Sequence, residues 1–62
     1  MREWLKAIRE ERGLTQSDVA QMVGIAQASY CNFEIGQRRP AVETAKAIAD
    51  VLDFDWTRFY DE

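Results

Sequence analysis

Gln16-Ser17-Asp18-Val19-Ala20-Gln21-Met22-Val23-Gly24-Ile25-Ala26-Gln27-Ala28-Ser29-Tyr30-Cys31-Asn32-Phe33-Glu34-Ile35 is the stretch whose reading decides the fold. Val19, Ala20 and Val23 recur at helical spacing before Gly24, and Tyr30 and Phe33 do so after it. Ala20 is small enough to let a following helix cross closely. Gly24 turns the chain sharply, and Ile25 is placed to drop into the angle between the two helices. Helices joined by so short a glycine-containing turn cross steeply and leave one face of the second exposed. Here that face holds Gln27, Ala28, Cys31, Asn32 and Ile35.

Working outward, Thr15-Gln16-Ser17-Asp18 reads as a capping box that starts the first of these two helices. Upstream, Trp4, Leu5, Ile8 and Arg12 share one face of an earlier helix, which Gly13 ends as a left-handed cap. Downstream, Pro40 suits the start of a fourth helix whose apolar stripe is Val42, Ala45, Ile48, Ala49 and Leu52. Asp55 is placed to cap a short fifth helix over Trp56–Tyr60. The spacing predicts an all-α fold, a compact bundle of four to five short helices, with residues 1–62 as a single domain.

Composition narrows the function. A chain of 62 residues has little room for a substrate pocket with a supporting shell, which weighs against an enzyme. There is no histidine, and the single Cys31 can form neither an internal disulfide nor a zinc set, so no metal and no cofactor are expected. No apolar run approaches a membrane span, and Met1-Arg2-Glu3-Trp4 does not open a signal peptide, so a cytoplasmic location without membrane association is expected.

The net charge of −3 is unevenly spread. Residues 1–40 carry six basic side chains (Arg2, Lys6, Arg9, Arg12, Arg38, Arg39) against five acidic ones, a balance of +1. Residues 41–62 carry Lys46 and Arg58 against Glu43, Asp50, Asp53, Asp55, Asp61 and Glu62, a balance of −4. An amino-terminal part that faces nucleic acid and an acidic far side follow, although a solvated acidic surface is also common in proteins with no such partner.

The exposed face of the third helix has the size of an element that enters the major groove of B-DNA, about 12 Å wide. The run Leu14-Thr15-Gln16, Val19-Ala20, Val23-Gly24-Ile25 and Phe33-Glu34-Ile35-Gly36-Gln37-Arg38-Arg39-Pro40 resembles the lambda-repressor-like, Cro-type helix-turn-helix domain of phage and bacterial regulators. The resemblance implies a five-helix fold, binding to double-stranded DNA, and a two-fold homodimer on a pseudo-palindromic site. It implies that Gln27, Ala28 and Asn32 face base edges. Gln16, Ser29, Gln37 and Arg38 would contact the DNA backbone, with Gln16 also bracing Gln27. It further places Arg9 and Glu34 as a structural ion pair between the first and third helices.

The chain departs from the family pattern at Ala26, where a capping serine or threonine is common, and at Ile35, where a phosphate-contacting asparagine is common. Cys31 and Asn32 replace a frequent serine and a frequent basic residue, so the reading helix has no positive charge. A gentle salt dependence is expected, with phosphate attraction drawn from Arg38 and the basic residues of the first helix.

The leading function is a sequence-specific transcriptional regulator, a repressor of prophage or mobile-element type. The alternative is a protein-interaction module, such as an antitoxin or partner-binding subunit, that uses the acidic carboxy-terminal third. Two fates are open for the aromatic residues Trp4, Trp56 and Tyr60: a dimer surface, or folding inward over the first and last helices.

Overall fold

Thr15 has an extended backbone, its hydroxyl accepts the Asp18 amide at 3.0 Å, and the Asp18 carboxylate accepts the Thr15 amide at 2.9 Å. This reciprocal cap starts the second of four α-helices in the computed structural model, which describes residues 1–61. The helices are α1 (Glu3–Glu11), α2 (Gln16–Val23), α3 (Gln27–Ile35) and α4 (Val42–Leu52), followed by a 3-10 helix (Trp56–Tyr60). Asp55 caps that last element, its carboxylate accepting the Thr57 amide at 3.0 Å. Glu62, the final acidic residue of the carboxy-terminal third, lies outside the described residues.

The turn between α2 and α3 is set by Gly24, whose φ of 84° and ψ of 31° lie in the left-handed region that disfavours a side chain. The Ala20 carbonyl accepts the amides of both Gly24 (2.8 Å) and Ile25 (2.9 Å), which closes the helix end. Ala20 itself is buried where α2 meets α3.

One core joins all five elements: Leu5, Val19, Ala20, Tyr30, Phe33, Ala45, Ile48, Leu52 and Phe59 are buried together. Trp4, Ile8, Leu14, Val23, Ile25, Val51, Phe54 and Trp56 pack around its edge. With no disulfide or metal set among the described residues, burial of this apolar surface is the main term favouring the fold. α3 packs on α1 and α2, whereas α4 packs on α2 and the 3-10 helix.

The structure corrects the sequence reading in two places. Pro40 does not open α4: Ala41 is its N-cap and Val42 its first residue. Pro40 is instead fully buried, and its carbonyl accepts the Tyr60 hydroxyl at 2.6 Å, so it anchors the loop to the 3-10 helix. Val42 does not join the apolar stripe. It stands at the first helical position, one turn before Ala45, and is 44% exposed.

Candidate nucleic-acid interface

The α3 surface is built on a buried polar link beneath it. Arg9, near the end of α1, donates from Nε to Glu34 Oε2 at 2.8 Å and from Nη2 to Glu34 Oε1 at 3.0 Å. Its Nη1 donates to the Leu14 carbonyl at 2.8 Å, so one guanidinium ties α1, the α1–α2 loop and α3. Both side chains are buried, and a planar fork meeting a carboxylate is the geometry that best offsets their desolvation. The Glu34 hydrogen bond raises the Arg9 pKa against the opposing effect of burial. Burial pushes the Glu34 carboxyl up, but hydrogen bonds from Arg9 and Gln16, with the Tyr30 hydroxyl beside it, hold it below its ordinary value. That hydroxyl is buried with no hydrogen bond of good geometry among the described residues, and burial raises its own pKa.

Gln16, the first residue of α2, donates from Nε2 to Glu34 Oε1 at 3.1 Å. The bond goes to the stronger acceptor, a buried carboxylate, rather than to Gln27. A primary amide has two N–H donors, so a second remains beyond the one given to Glu34.

Above this link, Gln27 and Ala28 are exposed at the start of α3, and Ser29, Cys31 and Asn32 are half-buried. Gln37 and Arg38 are exposed in the loop that follows α3. Gln27, Ala28 and Asn32 lie within one and a half turns, and Ala28 and Asn32, four residues apart, share a face. Ala26 is the N-cap of α3 with no side-chain hydrogen bond, so the first-turn amides lack an intramolecular side-chain acceptor.

The basic residues near the amino terminus are used otherwise than the sequence suggests. Arg2 is buried, with Nη1 donating to the carbonyls of Phe33 and Arg38, the latter at 2.7 Å. Arg12 donates from Nε to the Leu52 carbonyl at 2.9 Å, where a cation favours the negative end of α4. With Arg9 on Glu34, the arginines at positions 2, 9 and 12 serve the fold. Arg39 lies over the Tyr60 ring, 5.2 Å from its centroid. The expectation of phosphate attraction from the first helix is thereby reduced to Lys6, and the exposed cations in the loop after α3 are Arg38 and Arg39.

The aromatic residues fold mostly inward. Trp4 meets Phe54 and Phe59 edge to face, at centroid distances of 5.4 and 5.2 Å, with Arg58 over its ring at 4.6 Å. Trp56 is half-buried beside Tyr60 and beneath the Lys46 ammonium, and Tyr60 is 36% exposed.

With this geometry in place, comparison with known proteins is decisive for the family. The chain matches the Helix-turn-helix family over residues 5–59. It belongs to that family, in its lambda-repressor-like, Cro-type form. Among curated relatives of this helix-turn-helix protein, the uncharacterized HTH-type transcriptional regulator YqaF of Bacillus subtilis strain 168 is 45% identical over 62 residues, which is 100% of this chain and 82% of YqaF. The SPbeta prophage-derived uncharacterized HTH-type transcriptional regulator YonR of the same organism is 32% identical over 50 residues, 81% of this chain and 46% of YonR. Antitoxin HipB of Escherichia coli K12 is 34% identical over 53 residues, 86% of this chain and 60% of HipB. The match thus spans less than two thirds of the length of the latter two. No solved structure gives a significant match.

Proposed function

We propose that this helix-turn-helix protein is a sequence-specific DNA-binding regulator of transcription that lays α3 in the major groove, as a repressor of prophage or mobile-element type. The family match across residues 5–59 carries the reading, and similarity to YqaF and to the prophage-derived YonR supports it. Gln27 and Asn32 carry amide groups suited to the N6 and N7 edge of adenine, and Ala28 is apolar and small enough to meet a thymine methyl. Ser29, Gln37 and Arg38, with the second N–H of Gln16, hold phosphates, which fixes register without reading sequence. Nothing in this role requires catalysis.

Selection of bound duplexes from a random-sequence pool tests the reading. An enriched motif is expected, and two half-sites about 34 Å apart would identify the two-fold dimer as well. Recovery of no motif at low salt would remove the proposal.

The similarity to Antitoxin HipB favours a second reading, in which the chain is a protein-interaction module in place of a DNA reader. The groove between α4 and the 3-10 helix, of about 420 Å³, is lined by Ala47, Ala49, Phe54 and Trp56, with Asp50, Asp53 and one cation, Lys46, among its walls. In this reading the acidic third receives a basic partner while α3 stays free. Capture of a basic protein together with absence of DNA affinity would favour this reading over the first.

A further inference from the structure

The carbonyl end of α3 is closed by an unusual partner. Helices leave their last carbonyls without intrahelical donors. The Asn32 carbonyl is served by the amides of Gly36 (3.2 Å), Gln37 (3.1 Å) and Arg38 (3.3 Å). The next two carbonyls are served by a single residue near the amino terminus, more than thirty residues away in sequence. Arg2 gives its guanidinium Nη1 to Phe33 and its backbone amide to Glu34 at 2.7 Å. The same Nη1 reaches the Arg38 carbonyl at 2.7 Å, and the guanidinium carbon lies 5.5 Å from the centroid of the Phe59 ring. Arg2 is only 7% exposed, so it is a poor candidate for touching DNA itself.

The peptide groups on both sides of Arg38 are therefore held: its amide by Asn32, its carbonyl by Arg2. Two residues further on, Tyr60 holds the Pro40 carbonyl, and Arg39 lies over the same Tyr60 ring. Arg38 and Arg39 are both exposed in this loop; Arg39 is turned onto the Tyr60 ring, and Arg38 is the one whose peptide groups are held on both sides.

We propose that Arg2 is a positioning residue for DNA binding: by joining the end of α3 to the Arg38 carbonyl, it fixes where the Arg38 guanidinium is delivered to a phosphate. The inference rests on the DNA-binding reading above. Its physical content is preorganisation. A phosphate contact made from a loose loop must offset the ordering of that loop on binding, about 1–2 kcal/mol per residue fixed, whereas a loop already fixed does not.

The test is a double-mutant cycle on the full chain with a mixed-sequence DNA duplex at low salt, using Arg2→Ala, Arg38→Ala and the pair. Arg2→Ala should weaken binding about tenfold when Arg38 is present and by less than about twofold in the Arg38→Ala background. Equal losses in both backgrounds would show Arg2 to be merely structural and overturn the proposal. Where Arg2→Ala fails to fold, Arg2→Met takes its place in the same cycle, because it keeps an unbranched side chain beside Phe59 but has no N–H to give to the two carbonyls that Nη1 serves.

Amide hydrogen exchange in the protein without DNA provides an independent arm. Exchange at Gln37 to Arg39 should accelerate about tenfold in the variant, with the α2 amides unchanged. Unchanged exchange in the loop overturns the pinning. A wild-type protein that binds no DNA overturns the functional reading instead, and the exchange arm still decides whether Arg2 fixes the loop.

Discussion

Arg9 and Glu34 are joined by two charge-assisted hydrogen bonds, 2.8 and 3.0 Å long, across the buried contact between α1 and α3. Glu34 also accepts from Gln16 at the start of α2. The carboxylate beneath the reading helix is thus shared by three elements, and the orientation of α3 depends on it. Truncating one partner leaves the other charge buried and unpaired, so Glu34→Ala or Arg9→Ala should cost about 3–5 kcal/mol in urea denaturation. The double replacement Arg9→Met/Glu34→Leu should cost less than either single change, with the Leu14 carbonyl left short of its donor. Additive losses would show that the two charges do not depend on one another.

The same pair sets the response to acid. The Glu34 carboxyl is held below its ordinary value of 4.5, so the stability it contributes is fully present above that pH. It is lost as pH falls through the lower folded value. Asp18 and Asp55, each lowered by hydrogen bonds with a nearby threonine (Thr15 and Thr57), titrate in the same direction from 3.8 but lie at the surface. With no histidine in the chain, no imidazole titrates between these carboxylates and neutrality. Thermal unfolding followed against pH should show the midpoint falling steadily below about 4.5, and Glu34→Gln should flatten that fall. A decline beginning near neutrality would contradict the assignment.

Ala26 has the extended backbone of an N-cap, φ −67° and ψ 144°, but offers no side-chain acceptor to α3. Ala26→Ser should therefore stabilise the protein by about 0.5–2 kcal/mol, read as a higher urea midpoint with unchanged slope. No gain would mean that the first-turn amides of α3 already have an acceptor.

Asp53, the C-cap of α4, is the one non-glycine residue with positive φ among those described, at 62°. A side chain there opposes the left-handed conformation, and the Asp53 carbonyl that faces Arg12 belongs to the backbone. Asp53→Gly should stabilise by about 0.5–1 kcal/mol. A loss measured by thermal melting would show that the carboxylate itself has a role.

The parts of this molecule legible in its sequence are those governed by local rules. Thr15 and Asp18 announce their cap because both partners lie within four residues. Gly24 announces its turn because its φ of 84° suits few other residues. Long-range polar contacts leave no comparable trace. An arginine at position 2 looks like any surface charge, and only the folded chain brings it to Phe33 and Arg38, 31 and 36 residues away. Gln16 was legible as the start of α2, but its preference for Glu34 over Gln27 depends on a buried carboxylate one helix away. Pro40 misleads for a similar reason. Its suitability for a helix start is a local preference, overridden by its burial and by the Tyr60 hydroxyl on its carbonyl.

Gln27 and Arg38 separate the two parts of DNA recognition, since both are exposed but only one is charged. Gln27→Ala removes an amide that can meet a base edge, so it should relax preference at one base pair by about 1–3 kcal/mol and leave affinity for unrelated duplexes unchanged. Arg38→Ala removes a cation, so it should weaken all duplexes alike and reduce the slope of log affinity against log salt by about 1. Titrations of both variants against a selected site and a scrambled site, each at two salt concentrations, give the comparison. α3 carries no basic side chain, Arg2 and Arg9 are buried, Arg12 is bonded to the Leu52 carbonyl and Arg39 lies over the Tyr60 ring, so the loss of slope from Arg38→Ala should be a large share of the total. Indistinguishable variants would mean that α3 is not the reading element. An unchanged slope in Arg38→Ala would place the phosphate contacts elsewhere on the surface.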